Sequence, residues 1–462
     1  MEVHDLRRRI QGTVTTSSDA GYEQLRCGMV WNQLTPVRYP RLIVQAATED
    51  DVAEAARFAG AHRMKLAVRG GGHSWVGFSL RDDSLLIDLG RLKHLSIDAE
   101  ARLATVQPAV TGRALNNGLS AHRLAFPIGH CPSVPLGGFL INGGLGWNSN
   151  RWGPACFSIE AARVVTADGN LIIADDVQHA DLLWAIRGAG PGFFAIVTEY
   201  RLKLHQAPRA ILTSTYFYPL QDIEAVGSWA GSVAPQLPRD VEFALFIAPA
   251  PSELAEPFRS ANGFVCILSA TSFLDSEREA AATLSLLEHC PVVHRCLAKE
   301  VNRPASFDAL LDQGSRFWPE RHRYMADTLW SDSPPSQPLA IARDHFLRAP
   351  SPESLALCAF PTGTGHNLAR LPDAAFSMTA KTLLLCYAIW AEPGDDAANA
   401  AWHHEMMAAL EPFTVGHYVG ESDTLSRPAR AERSFAQANW QRLRSLRRKY
   451  DPHDAFHDHV DA

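Results

Sequence analysis

The sequence predicts an α+β protein built from two unlike halves. Three observations carry this. Strand-like and helix-like stretches alternate through residues 36–210. From 211 to 415 longer apolar strands take over, with helices between them. Two glycine-rich loops, each following a short apolar run, sit inside the first half. Residues 1–35 read as a lead-in helix and loop, and 416–462 as a segment that returns to the first half.

Each element has a local cause. Pro40 to Val44 is a strand candidate. Thr48 can cap a helix opened by Glu49, Asp50 and Asp51, whose charges suit its positive end. Val52, Ala55, Ala56 and Ala59 then share one face. Met64–Val68, Leu85–Leu89 and Leu103–Val106 read as short strands, and Thr111–His122 as a helix. Ala161–Ile173 is a hairpin turning on Asp168-Gly169, and Asp181–Arg187 a short helix. In the second half Thr213–Tyr218, Val241–Ile247, Phe264–Ala270 and Leu383–Trp390 read as strands. Segments near 275–289, 306–313 and 397–409 read as helices, giving a sheet backed by helices. Ser333–Pro338 reads as a loop. The tail helix has an apolar stripe of Phe435, Trp440, Leu443 and Leu446. Arg442, Arg444, Arg447, Arg448 and Lys449 fall on its solvated side.

Bulk properties narrow the function. The 462 residues suggest two or three domains, and 46% apolar content can fill a sizeable core. A net charge of −7 argues against nucleic acid or an anionic membrane as partner. Eight cysteines show no C-x-x-C spacing, and nineteen histidines no H-E-x-x-H. His453, His457 and His459 read as a frayed end, able to bind metal only adventitiously. The first ten residues lack an apolar core for a secretory signal, and no run approaches a membrane span. The expectation is a cytoplasmic protein, monomer or homodimer, whose partner is a small molecule.

The first glycine loop is Arg69-Gly70-Gly71-Gly72-His73-Ser74, with Gly77 shortly after. Consecutive glycines let the backbone approach a ligand, and bared amides suit phosphate oxygens. The second loop is Gly129-His130-Cys131-Pro132-Ser133-Val134, running on through Gly137, Gly138, Asn142, Gly143, Gly144 and Gly146. Two such cradles about sixty residues apart suggest one large dinucleotide between them. A nicotinamide site would need G-x-G-x-x-G opening a helix, which Gly70-Gly71-Gly72-His73 does not supply.

These two loops resemble those of the berberine-bridge-enzyme-like flavoprotein oxidases, within the vanillyl-alcohol-oxidase (PCMH-type) family. The resemblance spans about Tyr39 to Phe456 and is strongest up to Ala210. It implies an FAD-binding domain at 36–210 and a substrate domain at 211–415, with an antiparallel sheet over the flavin. It also implies that His73 bonds the flavin 8α carbon and that Cys131 bonds ring carbon C6. Such a thiolate needs an accessible, electropositive setting. Gly188–Val197, with Gly192, Ile196 and Val197, resembles the third FAD segment, although Gly192-Phe193 stands where an Asn is common. Val134 matches a position whose valine goes with oxygen access, which favours an oxidase yielding peroxide over a dehydrogenase.

A base must accept the substrate proton as hydride leaves. Asp373, ahead of Ala374-Ala375-Phe376, resembles one family pattern, and Tyr418-Val419-Gly420-Glu421 resembles another. Asp373, Tyr418 and Glu421 are therefore all candidates. Trp75 and Phe139 replace polar residues of family members. With Trp152, Phe243, Phe376 and Trp390 as lining candidates, they point to a bulky alcohol, amine or secondary metabolite rather than a sugar. A flavin dehydrogenase and a non-catalytic flavin binder are the alternatives.

Overall fold

Strands buried on both faces need unbroken apolar runs, and Leu42-Ile43-Val44 and Leu85-Leu86-Ile87 are such runs, all buried. They form the centre of a four-stranded sheet in the order Thr13–Thr16, Leu42–Gln45, Leu85–Asp88, Leu66–Arg69. The last three strands are parallel and the first is antiparallel. The computed structural model describes residues 3–251, 263–363 and 371–459. The crossover helix Glu49–Ala61 is capped as expected, with Thr48 and Asp51 forming a reciprocal capping box. Val52, Ala55, Ala56 and Ala59 are fully buried.

The supposed lead-in is part of this sheet, because it supplies the strand Thr13–Thr16. Asp51 explains the attachment. Its carboxylate accepts from Gln11 N at 2.8 Å and Gly12 N at 2.9 Å while also closing the capping box.

A second, antiparallel sheet runs Leu95–Asp98, Leu103–Val106, Ile196–Lys203, Ile159–Val165, Leu171–Ala174. The expected hairpin is present, with Gly169 at φ 75° in its turn. Leu95–Asp98 escaped notice because it is a short edge strand with half-exposed side chains.

The second half holds a seven-stranded antiparallel sheet. Its order is Ala298–Pro304, Ala210–Pro219, Phe264–Leu274, Val241–Pro249, Leu355–Phe360, Thr382–Trp390, Arg323–Ser331. Alternation along the strands divides its faces. Phe243, Leu245 and Ile247 pack with helices Ile223–Val233, Ser336–Phe346 and Asp396–Leu410. The helix Ser336–Phe346 starts inside the expected loop 333–338. Pro338 sits in its first turn, where no amide hydrogen is needed.

The tail helix Gln437–Tyr450 returns to the first half as expected. Beyond it, Leu66 N donates to Ala455 O at 2.7 Å and His457 N to Leu66 O at 3.1 Å. Two expectations fail here. Arg447 is buried rather than solvated, donating to the carbonyls of Gly192 and Phe456 and to Asp454. His459 is not frayed: its ring is buried and Nε2 meets Ala189 O at 2.9 Å. Among the described residues no cluster of side chains could hold a metal.

Candidate active site

The two glycine loops touch each other. A Cβ at Gly71 would lie 2.0 Å from Pro135 Cγ, and one at Gly70 3.4 Å from Gly138 N. Only residues without side chains allow this approach. Together the loops form one wall of a cavity of about 830 Å³. The cavity-facing side of the seven-stranded sheet forms the other, through Glu242, Phe246, Leu385 and Tyr387.

Arg69, Gly70, Gly71, Gly72, His73, Ser74, Gly129, Cys131, Val134, Gly137, Gly138, Asn142 and Val197 all line this space. The other glycines do not. Gly77 packs on Pro36 and Val30, Gly143 on Phe376, Gly144 on Phe139 and Ala155, and Gly192 on His459. A Cβ at Gly146 would strike the Ile128 and Pro127 carbonyls at 2.4 Å. Ile196 is fully buried in its strand. These residues shape the loops from behind.

His73 is half-buried in the cavity wall and stacks on Trp31 at 5.1 Å. Burial holds its imidazole down to about 4, and Arg69 pushes the same way, so the ring is neutral near pH 7. Arg69 itself is tied to Met29 O and Asp88. Cys131 differs from expectation. Its surroundings are not electropositive: burial raises its thiol, and Glu320 and Glu421 add to that, against hydrogen bonds from Ser133.

The three candidate bases part company. Asp373 is a surface residue, its side chain 79% exposed, paired with Arg442 and with Trp184 Nε1. It does not line the cavity, so the structure removes it as the base. Tyr418 lines the cavity, but its hydroxyl accepts from Gly144 N at 3.2 Å and burial raises its pKa. Glu421 also lines the cavity. Its Oε2 accepts from the Tyr387 hydroxyl at 2.5 Å and from Trp75 Nε1 at 3.2 Å. Burial raises the Glu421 carboxyl despite both hydrogen bonds.

Tyr387 went unnoticed in the sequence, although a signal was there. It shares the cavity face of its strand with Leu383 and Leu385, at spacing two. Trp75, Phe139, Trp152, Phe243 and Phe376 line the cavity as expected. Trp390 does not, being buried behind the sheet with its Nε1 on Asp396 at 2.7 Å.

Residues 40–175 match the FAD binding domain model. Over 444 residues the chain is 32% identical to the FAD-linked oxidoreductase nodO of Hypoxylon pulicicidum, covering 95% of this chain and 94% of that one. The chain belongs to the FAD-linked oxidoreductases. The fold agrees. A 6-hydroxy-D-nicotine oxidase from Arthrobacter nicotinovorans superposes with TM-score 0.82 at 21% identity, over 98% of each chain. The BBE-like 1 protein of Physcomitrella patens gives 0.82 at 18% identity, over 100% of each.

FAD fits what lines this cavity in the oxidoreductase. A Cβ on Gly138 would meet nothing within 4 Å, so that backbone lies open to a ligand. Asn142 lines the same space with Trp147, Trp318 and Trp330, whose rings give it flat aromatic walls. A large flat aromatic ligand fits between such walls.

Proposed function

We propose that this FAD-linked oxidoreductase is an oxidase. It takes hydride from a C–H of a bulky, largely apolar alcohol, amine or secondary metabolite, and it carries its flavin covalently at His73 and Cys131. The observation that carries this reading is the shared cavity. His73, Cys131 and the Glu421–Tyr387 pair all open onto it.

When bound, FAD supplies the hydride acceptor. The chain's residues do the rest. The loops at 69–74 and 129–138 hold the dinucleotide through backbone amides. The neutral His73 imidazole keeps a lone pair for a bond to carbon. Trp75, Phe139 and Phe376 exclude water from the substrate's body. The substrate's O–H or N–H proton passes to Glu421, directly or through the Tyr387 hydroxyl, whose own proton moves on to Glu421. A carboxylate with raised proton affinity suits this task. Val134, lining the cavity, leaves room for dioxygen as the final acceptor.

The test is an acid-precipitated, trypsin-digested sample of the holoenzyme, followed by a substrate screen that detects peroxide. Yellow peptides carrying His73 and Cys131, with peroxide formed in step with substrate loss, are expected. Flavin released on denaturation would remove the covalent links. Substrate oxidation that needs an added acceptor would remove the oxidase.

A further inference from the structure

His130 and Glu242 have no place in the chemistry above, yet they join the two halves at the loop carrying Cys131. Glu242 stands on the strand Val241–Pro249 of the seven-stranded sheet. Its Oε2 lies 3.2 Å from His130 Nε2, and its Oε1 accepts from Asn148 N at 2.6 Å. One carboxylate thus grips the second glycine loop near its start, next to Cys131, and again eighteen residues on. The His130 ring also packs against Trp147 at 4.2 Å. Helix Phe307–Phe317 closes over the same point. A Cβ at Gly314 would lie 2.2 Å from His130 O, so only glycine lets the helix sit there.

From this geometry we propose that Glu242, acting through His130, is the positioning residue that sets Cys131 for its bond to the flavin. The proposal rests on the covalent reading above. Forming that bond replaces one S–H and one ring C–H by a C–S bond. The two electrons and two protons released go to dioxygen, giving hydrogen peroxide. Burial outweighs the Ser133 hydrogen bonds that favour the Cys131 thiolate, so the bond depends on placement more than on thiol activation. A clamp from the opposite sheet supplies that placement. It also makes the link conditional on the two halves being docked.

The test compares wild type, Glu242→Ala, Glu242→Gln and His130→Ala by peptide mass spectrometry of the purified holoproteins. The two links are scored separately, and a time course of link formation follows on reconstitution with FAD. Glu242→Ala and His130→Ala should keep the His73 link and form the Cys131 link slower by on the order of tenfold to a hundredfold. Glu242→Gln retains an acceptor for Asn148 N and a polar partner for His130, and should recover most of the rate. Persistence of the His73 link, with an unchanged melting temperature, shows that the variants are folded. If wild type carries the Cys131 link and both alanine variants form it at the wild-type rate, the clamp is overturned. If Glu242→Gln is as slow as alanine, the effect is not positioning by hydrogen bonds and the proposal falls. If wild type lacks the Cys131 link, the covalent reading fails instead.

Discussion

Glu421 accepts the Tyr387 hydroxyl at 2.5 Å across the boundary between the tail segment and the seven-stranded sheet. Neither residue is near the other in sequence, and both face the cavity that the glycine loops wall. Glu421→Gln should lower the rate of flavin reduction by on the order of a hundredfold or more, the range of general-base catalysis. Tyr387→Phe should lower it less if Glu421 can take the proton directly. Anaerobic stopped-flow reduction at 450 nm measures both. Wild-type reduction by Glu421→Gln would end its role as base.

The pH profile follows from the same pair. Burial raises the Glu421 carboxyl, and its base form is the carboxylate. kcat/KM should therefore rise with pH through a midpoint above the ordinary range for glutamate, about 4.3. That limb should vanish in Glu421→Gln. A limb unchanged by the substitution would assign it to another group.

Gly138 offers a test of the cradle that spares the fold. A side chain there meets no protein atom within 4 Å, and the backbone is in the helix Leu136–Ile141. Gly138→Val should melt close to the apoprotein's temperature yet take up little FAD, measured as flavin per polypeptide after reconstitution. Full yellow loading would show that the ligand does not approach this face.

Arg447 holds the returning tail against the first half. It reaches Gly192 O, Phe456 O and Asp454, with Asp451 at 3.5 Å and Asp458 at 3.7 Å. Arg447→Met would strand buried carboxylates, a loss of about 3–5 kcal/mol for a broken buried pair. Urea melts should show it. A midpoint within error of wild type would mean the acids find other partners.

Acid should weaken the fold through His403 and His459. Burial holds both down to about 4, with Asp458 opposing it at His459. Between about pH 6.5 and 4 the unfolded chain binds protons that these rings refuse when folded, so stability falls as pH falls. Each contributes a slope of up to about 1.4 kcal/mol per pH unit. His403→Gln should flatten the slope of unfolding free energy against pH. An unaltered slope would exclude this ring from the acid response.

What the sequence disclosed was set by the range of the forces involved. The Thr48 cap, the Asp168-Gly169 turn and the glycine loops are determined by neighbours a few residues apart, and each appears as expected. Asp373 and Arg447 were misjudged because burial depends on distant chain. Asp373 meets Trp184 and Arg442 at the surface, whereas Arg447 sinks under residues 454–458. Glu242 carries no local mark of function, and Tyr387 only its alternation with Leu383 and Leu385. They gain it only when their strands turn one face toward the two loops.

The bonds between Leu66 and the segment 455–457 join parts of the chain about 390 residues apart. The edge of the parallel sheet that feeds the first glycine loop is thus finished by a segment synthesised long after it. A ribosome-bound chain stopped anywhere in the second half would have this edge bare. Completion of this sheet edge therefore depends on chain made after the second half, so the first half does not finish its hydrogen bonding by itself.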